Sequence, residues 1–321
     1  MPIHNIPENS GRASTVVSVV VPAYNHAETL PAAIDSLLTQ DYPALEIIVL
    51  DDGSTDHTRR VLAAYEDRIR WESQSNIGQA ATLNKGWAMA DGDILGYLSA
   101  DDFLYPGAVS AAVAALSEQD AIVSYCDFDH VDPVGHRLRT VRRPEFSLEQ
   151  MVTTLDCPPG PGAFFRRSAF MATGGWNPQL RQIPDFDFWL RMSHHGGFVH
   201  IPEVLAAWRV HPGSQSFAVA SPERAEESVK VIEDFFSASG VASRLLSLKP
   251  QSMARAHLYC AQLHGRAGRY HAALSNIARA QQLYPGTLLQ WQTWRSVANA
   301  LLSRPLHHLL WRLRNGAATK A

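Results

Sequence analysis

Short apolar runs alternate with helical patterns over the first hundred residues, and this alternation limits the fold more than any other feature of the chain. Four runs are the predicted strands, at residues 16–21, 45–50, 69–72 and 94–98. Helical patterns lie between them, over residues 27–39, 55–65 and 79–89. Strands separated by helices of this length predict β-α-β units. We therefore expect an α/β fold with a mostly parallel, Rossmann-like central sheet flanked by helices.

Polar residues stand at the ends of three of these strands. They are Tyr24 and Asn25 after the first strand, Asp51 and Asp52 after the second, and Asp101 and Asp102 after the fourth. Ligands of open parallel sheets bind outside the carboxyl ends of the strands. The three clusters are therefore predicted to converge on one site, although they are far apart in sequence.

The adjacent carboxylates Asp101 and Asp102 are candidate metal ligands. Aspartate oxygens are hard ligands that suit Mg²⁺ or Mn²⁺, particularly beside a diphosphate. The alternative is a solvated turn that caps the following helix. Neither G-x-G-x-x-G after the first strand nor G-x-x-x-x-G-K-[ST] occurs. A nucleotide bound here would then need a divalent ion, rather than a glycine loop, to neutralise its phosphates.

The segment VLDDGSTD (residues 49–56) has two further interpretations. A phosphohydrolase of the D-x-D-G-[ST] kind would use its first Asp as nucleophile, but Leu50 stands at that position. Asp52 is instead able to accept a hydrogen bond from a ligand. We interpret Ser54 and Asp56 as helix caps.

Two later segments carry candidate catalytic residues. In IPDFDFWLRM (residues 183–192), Asp185 or Asp187 could be a general base and the other a helix cap, or both could be acids favoured at a helix start. In WRVHPGSQS (residues 208–216), His211 is either a surface residue or an imidazole that completes an Asp-bound metal site.

The rest of the chain divides by composition. Residues 108–216 are less regular and include the Pro- and Gly-rich loop 157–162. Beyond residue 220 the pattern is helical, with one hairpin of tetratricopeptide type at about 253–285. One or two amphipathic helices are expected over 288–313. The predicted division is a flexible tail (1–15), a catalytic domain (16–220) and an all-helical extension (221–321).

Charge and cysteine content restrict the partners. All 31 acidic residues precede residue 235, so residues 235–321 contain Lys and Arg but no Asp or Glu. These basic residues alternate with Leu and Trp, a pattern that favours an anionic membrane surface, a partner, or packing on the catalytic domain over nucleic acid. Three widely spaced cysteines, no signal peptide and no membrane-spanning run predict a cytoplasmic protein, with peripheral contact on the inner face of the membrane as an option.

These motifs together resemble the family 2 glycosyltransferases, which have the GT-A fold. The resemblance covers residues 16–216. It rests on six segments in the family's order: VSVVVPAYNHAETL, SLLTQDYPALEIIVLDDGSTD, SNIGQAATLNKGWAMADGDILGYLSADD, GGWNPQL, DFDFWLR and RVHPGSQS.

The resemblance implies a role for each matching position. Residues expected to bind the nucleotide sugar are Pro22, Tyr24, Glu28, Asp52, Asn76, Gly78, Asn84 and Asp101. Tyr24 would lie against the base, Asp52 would accept from its imide N–H, which favours uracil, and Asp102 with His211 would bind Mn²⁺ or Mg²⁺. Asp185 would be the general base of an inverting transfer.

Two positions depart from the family pattern. Ser99 replaces the first acid of the D-x-D motif, which should spare metal binding because the last Asp is the principal ligand. Pro184 replaces the glutamate that usually precedes the base, which removes a supporting carboxylate from Asp185.

The expected activity is the transfer of a sugar from a nucleoside diphosphate, UDP in particular, to a hydroxyl of a saccharide or lipid-linked saccharide in surface polysaccharide or glycoconjugate synthesis. The alternatives are a metal-dependent nucleotidyltransferase and a non-catalytic relative that binds nucleotide sugars. The nucleotidyltransferase would need a Gly- and Arg-rich loop after the first strand, and PAYNHAE has neither.

Overall fold

The computed structural model describes residues 15–211, 218–289 and Trp294. Within them the chain forms nine strands, β1 (Val17–Ala23), β2 (Leu45–Asp51), β3 (Arg70–Ser73), β4 (Ile94–Tyr97), β5 (Phe103–Leu104), β6 (Val123–Val131), β7 (Arg137–Val141), β8 (Phe164–Arg166) and β9 (Phe198–Arg209). The helices are α1 (Leu30–Leu38), α2 (Thr58–Ala63), α3 (Gln79–Met89), α4 (Ala108–Glu118), α5 (Leu148–Thr154), α6 (Arg167–Thr173), α7 (Pro184–Met192), α8 (Pro222–Ser237), α9 (Ser243–Leu246), α10 (Lys249–Arg266) and α11 (Tyr270–Leu283).

The strands form one sheet in the order β3-β2-β1-β4-β8-β6-β9-β5, with β7 paired to β6. Strands β1 to β4 are parallel neighbours, which confirms the predicted β-α-β units. Beyond β4 the pairing is mixed: β8 is antiparallel to both of its neighbours, whereas β6 and β9 run parallel. The parallel half therefore carries the three predicted strand ends, and the mixed half extends the sheet away from them.

Both faces of the parallel half are covered, which explains the continuous apolar runs. Successive side chains of β1 point to opposite faces. Val19 and Val21 pack in one buried cluster with α1, and Val20 packs in another with Trp87 of α3. The ring of Trp87 stacks on Phe188 of α7, with centroids 5.7 Å apart.

The carboxyl-terminal helices share the core of the sheet. Ile232 and Phe235 of α8 and Ala256 of α10 belong to the same buried cluster as Trp87. Helices α10 and α11 form a hairpin over the region where one was predicted. The helices expected over 288–313 lie outside the described residues, Trp294 excepted. Among the helices that the structure describes, none is long and apolar enough to cross a bilayer.

Candidate active site

A cleft of about 880 Å³ opens at the carboxyl ends of β1, β2 and β4. Eight of the predicted site residues line it: Pro22, Tyr24, Asp52, Asn76, Gly78, Asp101, Asp102 and Asp185. The predicted convergence of the three strand ends is therefore present. One side of the cleft comes from these strand ends, and the other comes from α7, the Pro–Gly loop and α10.

Asp52 is the best-anchored acid of the cleft, with only 3% of its surface exposed. One carboxylate oxygen accepts from the Ile77 amide at 2.8 Å and from Gln74, and the other accepts from the Gly78 amide at 2.8 Å. Gly78 has a φ of +86°, and an added Cβ would lie 2.5 Å from a guanidinium nitrogen of Arg181. Asp52 thus fixes the 76–78 loop while it still faces the cleft.

Asp101 and Asp102 form a poorly compensated acid pair. Asp102 is buried, and its carboxylate accepts from the backbone N–H of Arg209 at 2.8 Å. Burial, followed by the charge of Asp101, raises the pKa of Asp102 well above its ordinary value. The carboxylate of Asp101 contacts Nε2 of His211 at 2.9 Å. A group of positive charge at this edge of the cleft would relieve the repulsion between the two acids.

These residues fit a divalent cation. Oxygen ligands from two aspartates and an imidazole nitrogen suit Mn²⁺ or Mg²⁺, and the uncompensated buried charge of Asp102 supplies a reason to bind one. In the described part of the chain, no group of three or more His, Cys, Asp or Glu side chains is close enough to form a cage by itself. In the structure, the His211 side chain contacts Asp101. The sequence instead predicts that His211 and Asp102 would bind the same metal ion.

The structure separates the two acids of α7. Asp187 is held by Arg191, whose Nε and Nη2 donate to one carboxylate oxygen at 3.0 and 2.8 Å. Asp185 lines the cleft, and burial raises its pKa. No side chain of the described residues donates a hydrogen bond to Asp185. Asp185 is consequently available to take a proton, whereas Asp187 is engaged in holding the helix.

Tyr97, at the end of β4, lines the cleft together with both groups of acids. Burial, followed by the charges of Asp185, Cys157 and Asp102, raises its pKa well above the ordinary value. Its ring packs edge-to-face on Trp87 and Trp176. Sequence reasoning missed Tyr97, although its place two residues before Ser99 at a strand end was a usable signal.

Three predicted residues do not line the cleft: Glu28, Asn84 and His211, the last of which contacts Asp101. Glu28 is exposed in the turn before α1. The amide of Asn84 is engaged elsewhere: it donates to the carbonyl of Trp176 at 2.7 Å and accepts from the Trp176 N–H at 2.8 Å. Asn84 thus holds the segment around Gly175 and Trp176, because both hydrogen-bonding ends of its amide are already used there.

Ser54 is not the helix cap that we interpreted from the sequence. Its hydroxyl accepts from the backbone N–H of Asn25 at 2.9 Å and so joins the loops that follow β1 and β2. Asp56 does bind at the start of α2, where its carboxylate accepts from the Thr58 N–H at 2.9 Å.

Two positioning residues carried no signal in the sequence. Glu227 of α8, which is 8% exposed, accepts from the backbone N–H groups of residues 181, 182 and 183 at 2.8, 2.6 and 3.3 Å. These residues lie two to four positions before Asp185. Arg143 donates to the carbonyls of Cys157 and Pro158, at 2.7 and 3.0 Å, and so fixes the Pro–Gly loop. Neither residue stands in a motif, and both partners are distant in sequence.

Comparison with known proteins gives matches to glycosyltransferases. Residues 18–174 match the sequence model described as Glycosyl transferase family 2. Chondroitin synthase of Escherichia coli is 28% identical over 231 residues, which are 70% of this chain and 33% of the synthase. The chain spans 65% or less of the length of several other curated relatives that it matches.

Solved structures show the same fold. S. aureus TarS 1–349, solved in complex with UDP-GlcNAc, superposes with a TM-score of 0.63 at 18% identity, covering 84% of this chain and 91% of TarS 1–349. The mannosyltransferase PcManGT from Pyrobaculum calidifontis, solved with GDP-Man and Mn²⁺, gives 0.59 at 20% identity and covers 92% and 87%.

The sheet and its flanking helices thus have the GT-A fold of these structures. The match over residues 18–174 identifies this segment of the chain as a glycosyl transferase family 2 domain.

Proposed function

We propose that this chain is an inverting glycosyltransferase that moves a sugar from a UDP-linked donor to a hydroxyl of a saccharide or lipid-linked saccharide acceptor. One observation carries the proposal: Asp185, which accepts no hydrogen bond from a side chain of the described residues, lines the same cleft as the acid pair Asp101–Asp102. A base for the acceptor and a site for the diphosphate are both required for this reaction, and they are on the same cleft.

The proton transfer is assigned to Asp185. Its carboxylate takes the proton of the acceptor hydroxyl as that oxygen attacks the anomeric carbon. The new C–O bond forms on the face opposite the departing nucleoside diphosphate, whose bond to the anomeric carbon breaks, so a single displacement inverts the configuration. The raised pKa of Asp185 strengthens it as a base once it is ionised.

The leaving-group end of the reaction is assigned to the acid pair. Asp102, with Asp101 and His211 beside it, would hold Mn²⁺ or Mg²⁺, and the ion would supply Lewis-acid neutralisation of the diphosphate. Arg209 supports these residues: its backbone N–H binds Asp102 and its Nε donates to the carbonyl of Asp101 at 2.7 Å. Arg209 therefore holds both acids in place at the cleft.

The preference for UDP is assigned to Asp52 and Tyr24. A carboxylate oxygen has two lone pairs, so Asp52 can accept from the imide N–H of uracil in addition to its loop contacts. Tyr24 is 48% exposed and lines the same end of the cleft, which leaves its ring free to lie against a base.

A screen of nucleotide sugars tests the proposal. Thermal stabilisation and donor hydrolysis are measured for UDP- and GDP-sugars, each with EDTA, Mg²⁺ or Mn²⁺. We expect UDP-sugars with Mn²⁺ to give the largest shift and metal-dependent hydrolysis. Stabilisation without hydrolysis or transfer would indicate a non-catalytic relative. A preference for GDP-sugars would overturn the assignment of Asp52, and full activity in EDTA would overturn that of the acid pair.

The membrane contact is a separate proposal that concerns the basic end of the chain. Helices α9 to α11 belong to the folded body, so the informative truncation is after Leu289 rather than inside α10. We expect this truncation to reduce binding to vesicles that contain anionic lipid. Unchanged binding in a sedimentation assay would remove the membrane role.

A further inference from the structure

Helix α10 presents a polar stripe to the active-site side of the molecule. Arg255, Tyr259, Gln262 and Arg266 are spaced by four, three and four residues, which places them on one helical face. They extend over about 16 Å along the axis, at about 1.5 Å per residue. The apolar residues Ala254 and Leu258 of α10 instead pack against Ala280 of α11.

The stripe borders two adjoining cavities. Tyr259 and Arg266 line the active-site cleft. Arg255, Tyr259 and Gln262 line a second cavity of about 470 Å³, whose other wall includes Gln150 and Thr154 of α5. Tyr259 and Asp156 line both cavities. A chain-like ligand whose end lies at Asp185 can therefore continue past Tyr259 into the second cavity.

The second cavity has the chemistry of a saccharide site. Its volume is in the range of about 300–1,000 Å³ that ligand sites usually have. Its lining combines amide, hydroxyl and guanidinium groups with the ring of Tyr259, which offers an apolar face and a polar edge. The Tyr259 hydroxyl accepts from the side-chain amide of Gln182 at 3.3 Å. Since Gln182 is three residues before Asp185, the ring is fixed relative to the proposed base.

The charges along the stripe favour an anionic ligand. Nε of Arg255 donates to the carbonyl of Thr154 at 2.8 Å, and no carboxylate of the described residues pairs with its guanidinium. Asp156 faces the same cavity but is bound to Arg143 at 3.0 Å. Arg266 has no hydrogen bond or ion pair to any described residue. Burial lowers the pKa of Arg255, which reflects the cost of holding this cation away from water.

We propose that the α10 stripe and the second cavity form an extended acceptor subsite for a saccharide chain that carries negative charge. The acceptor's reactive unit would lie at Asp185, and its carboxylate or phosphate groups would lie against Arg255 and Arg266. The inference rests on the proposed transferase function and adds the charge class of the acceptor. Arginine suits either anion because its planar guanidinium binds carboxylate and phosphate in two-bond geometry.

A binding comparison with defined probes tests the subsite. The probes are a tetrasaccharide with alternating glucuronate, a tetramer of ribitol phosphate, and neutral cellotetraose, each titrated calorimetrically into the full chain with UDP and Mn²⁺. We expect at least one anionic probe to bind about tenfold or more tightly than cellotetraose, as two guanidinium contacts would give. Whichever anionic probe binds more tightly identifies the group as carboxylate or phosphate.

Variants on the stripe localise the effect. Arg255→Gln and Arg266→Gln should each weaken binding of the preferred anionic probe about three- to tenfold. Neither variant should change the binding of cellotetraose. Arg266 is exposed and makes no contact that folding needs, whereas the Arg255 variant also loses the hydrogen bond to the Thr154 carbonyl, so the Arg266 variant is the cleaner test. Arg279→Gln, an exposed arginine on α11, is the matched control and should bind like the wild type.

Equal binding of charged and neutral probes, no measurable binding of any probe, or an anionic preference that survives both substitutions would overturn the subsite. Donor hydrolysis by the wild type, measured on the same preparation, separates this failure from that of the proposed function. Hydrolysis without a charge preference would contradict the subsite alone. A charge preference that depends on the arginines, without any donor turnover, would support the subsite and contradict the transferase.

Discussion

The two halves of the cleft are built in different ways. The donor half, defined by Tyr24, Asp52, Asp101 and Asp102, consists of strand ends in a parallel sheet. The acceptor half, defined by Asp185, the loop 157–162 and Tyr259, consists of helices and a loop that the carboxyl-terminal helices hold. In the donor half the backbone of the sheet fixes the acids. In the acceptor half, individual side chains such as Glu227 and Arg143 fix the functional groups.

This difference shows that the helical extension belongs to the same folded unit as the cleft. Glu227 of α8 binds the segment before Asp185, and Tyr259 of α10 lines the cleft. The same helices bury Ile232, Phe235 and Ala256 in the core that contains Trp87. We therefore expect changes in the acceptor half to affect transfer more than nucleotide binding, and changes in the donor half to affect both.

The largest expected effect is that of Asp185→Asn in the acceptor half. Removal of the base should lower the rate of transfer by about 10²–10⁴-fold, while the Kd for UDP changes by less than about twofold. Single-turnover transfer and calorimetric titration of UDP measure the two quantities. Asp187→Asn is the matched control on the same helix. It should lower the Tm by removing the Arg191 pair and keep most of the transfer rate. Near-normal transfer by Asp185→Asn would contradict its role as base.

In the donor half, Asp102→Asn should lower the transfer activity but raise the stability of the protein. We expect a loss of about a hundredfold or more in metal-dependent transfer and weaker UDP binding in Mn²⁺. The folded state holds the ionised Asp102 at a cost, as its raised pKa shows, so the neutral isostere should raise the Tm measured in EDTA. The asparagine oxygen can still accept from the Arg209 amide. A lower Tm would mean that the acid pair is compensated within the protein.

The pH dependence of transfer should reveal the burial of Asp185. Only the ionised base is active, so kcat/KM falls by about tenfold per pH unit below its pKa. Because that pKa is raised, the acidic limb should lie at higher pH than for an ordinary aspartate. Profiles of kcat/KM and of UDP affinity over the same pH range distinguish Asp185 from the acid pair. If the acidic limb appears only in the pH profile of UDP affinity, the titrating group belongs to the donor half and is not Asp185.

Glu227→Gln should give the smallest change. Glutamine keeps one of the two acceptor oxygens, so at least one backbone N–H before α7 loses its partner. We expect transfer to fall about tenfold, less than the roughly hundredfold that a 1 Å misplacement can cost, with an unchanged Kd for UDP. The control is Glu233→Gln, on the same helix as Glu227. It removes an exposed ion pair with Lys249 of α10 and should match the wild type. Equal losses in the two variants would remove the positioning role.

The sequence by itself determined that the three strand ends meet at one cleft, and it determined the architecture around them. Alternating strands and helices dictate parallel pairing, and parallel pairing brings the strand ends to one edge. Helix α3 begins and ends where its pattern predicts, at Gln79 and Met89, and the late helical hairpin is present. These features follow from local periodicity and a general rule of topology. The short strands β5 and β7 and the long strand β9 were not predicted, because their pairing depends on distant partners.

Only the tertiary structure decided which polar groups are engaged and which are free. Asp185 and Asp187 have the same sequence context, but Arg191 binds Asp187 whereas Asp185 lines the cleft. Asn84 matches a family position but binds Trp176, which is 92 residues away. Glu227 and Tyr259 belong to helices whose patterns show only amphipathicity. A hydrogen-bond partner is set by packing in three dimensions, and periodicity contains no information about contacts at such separations.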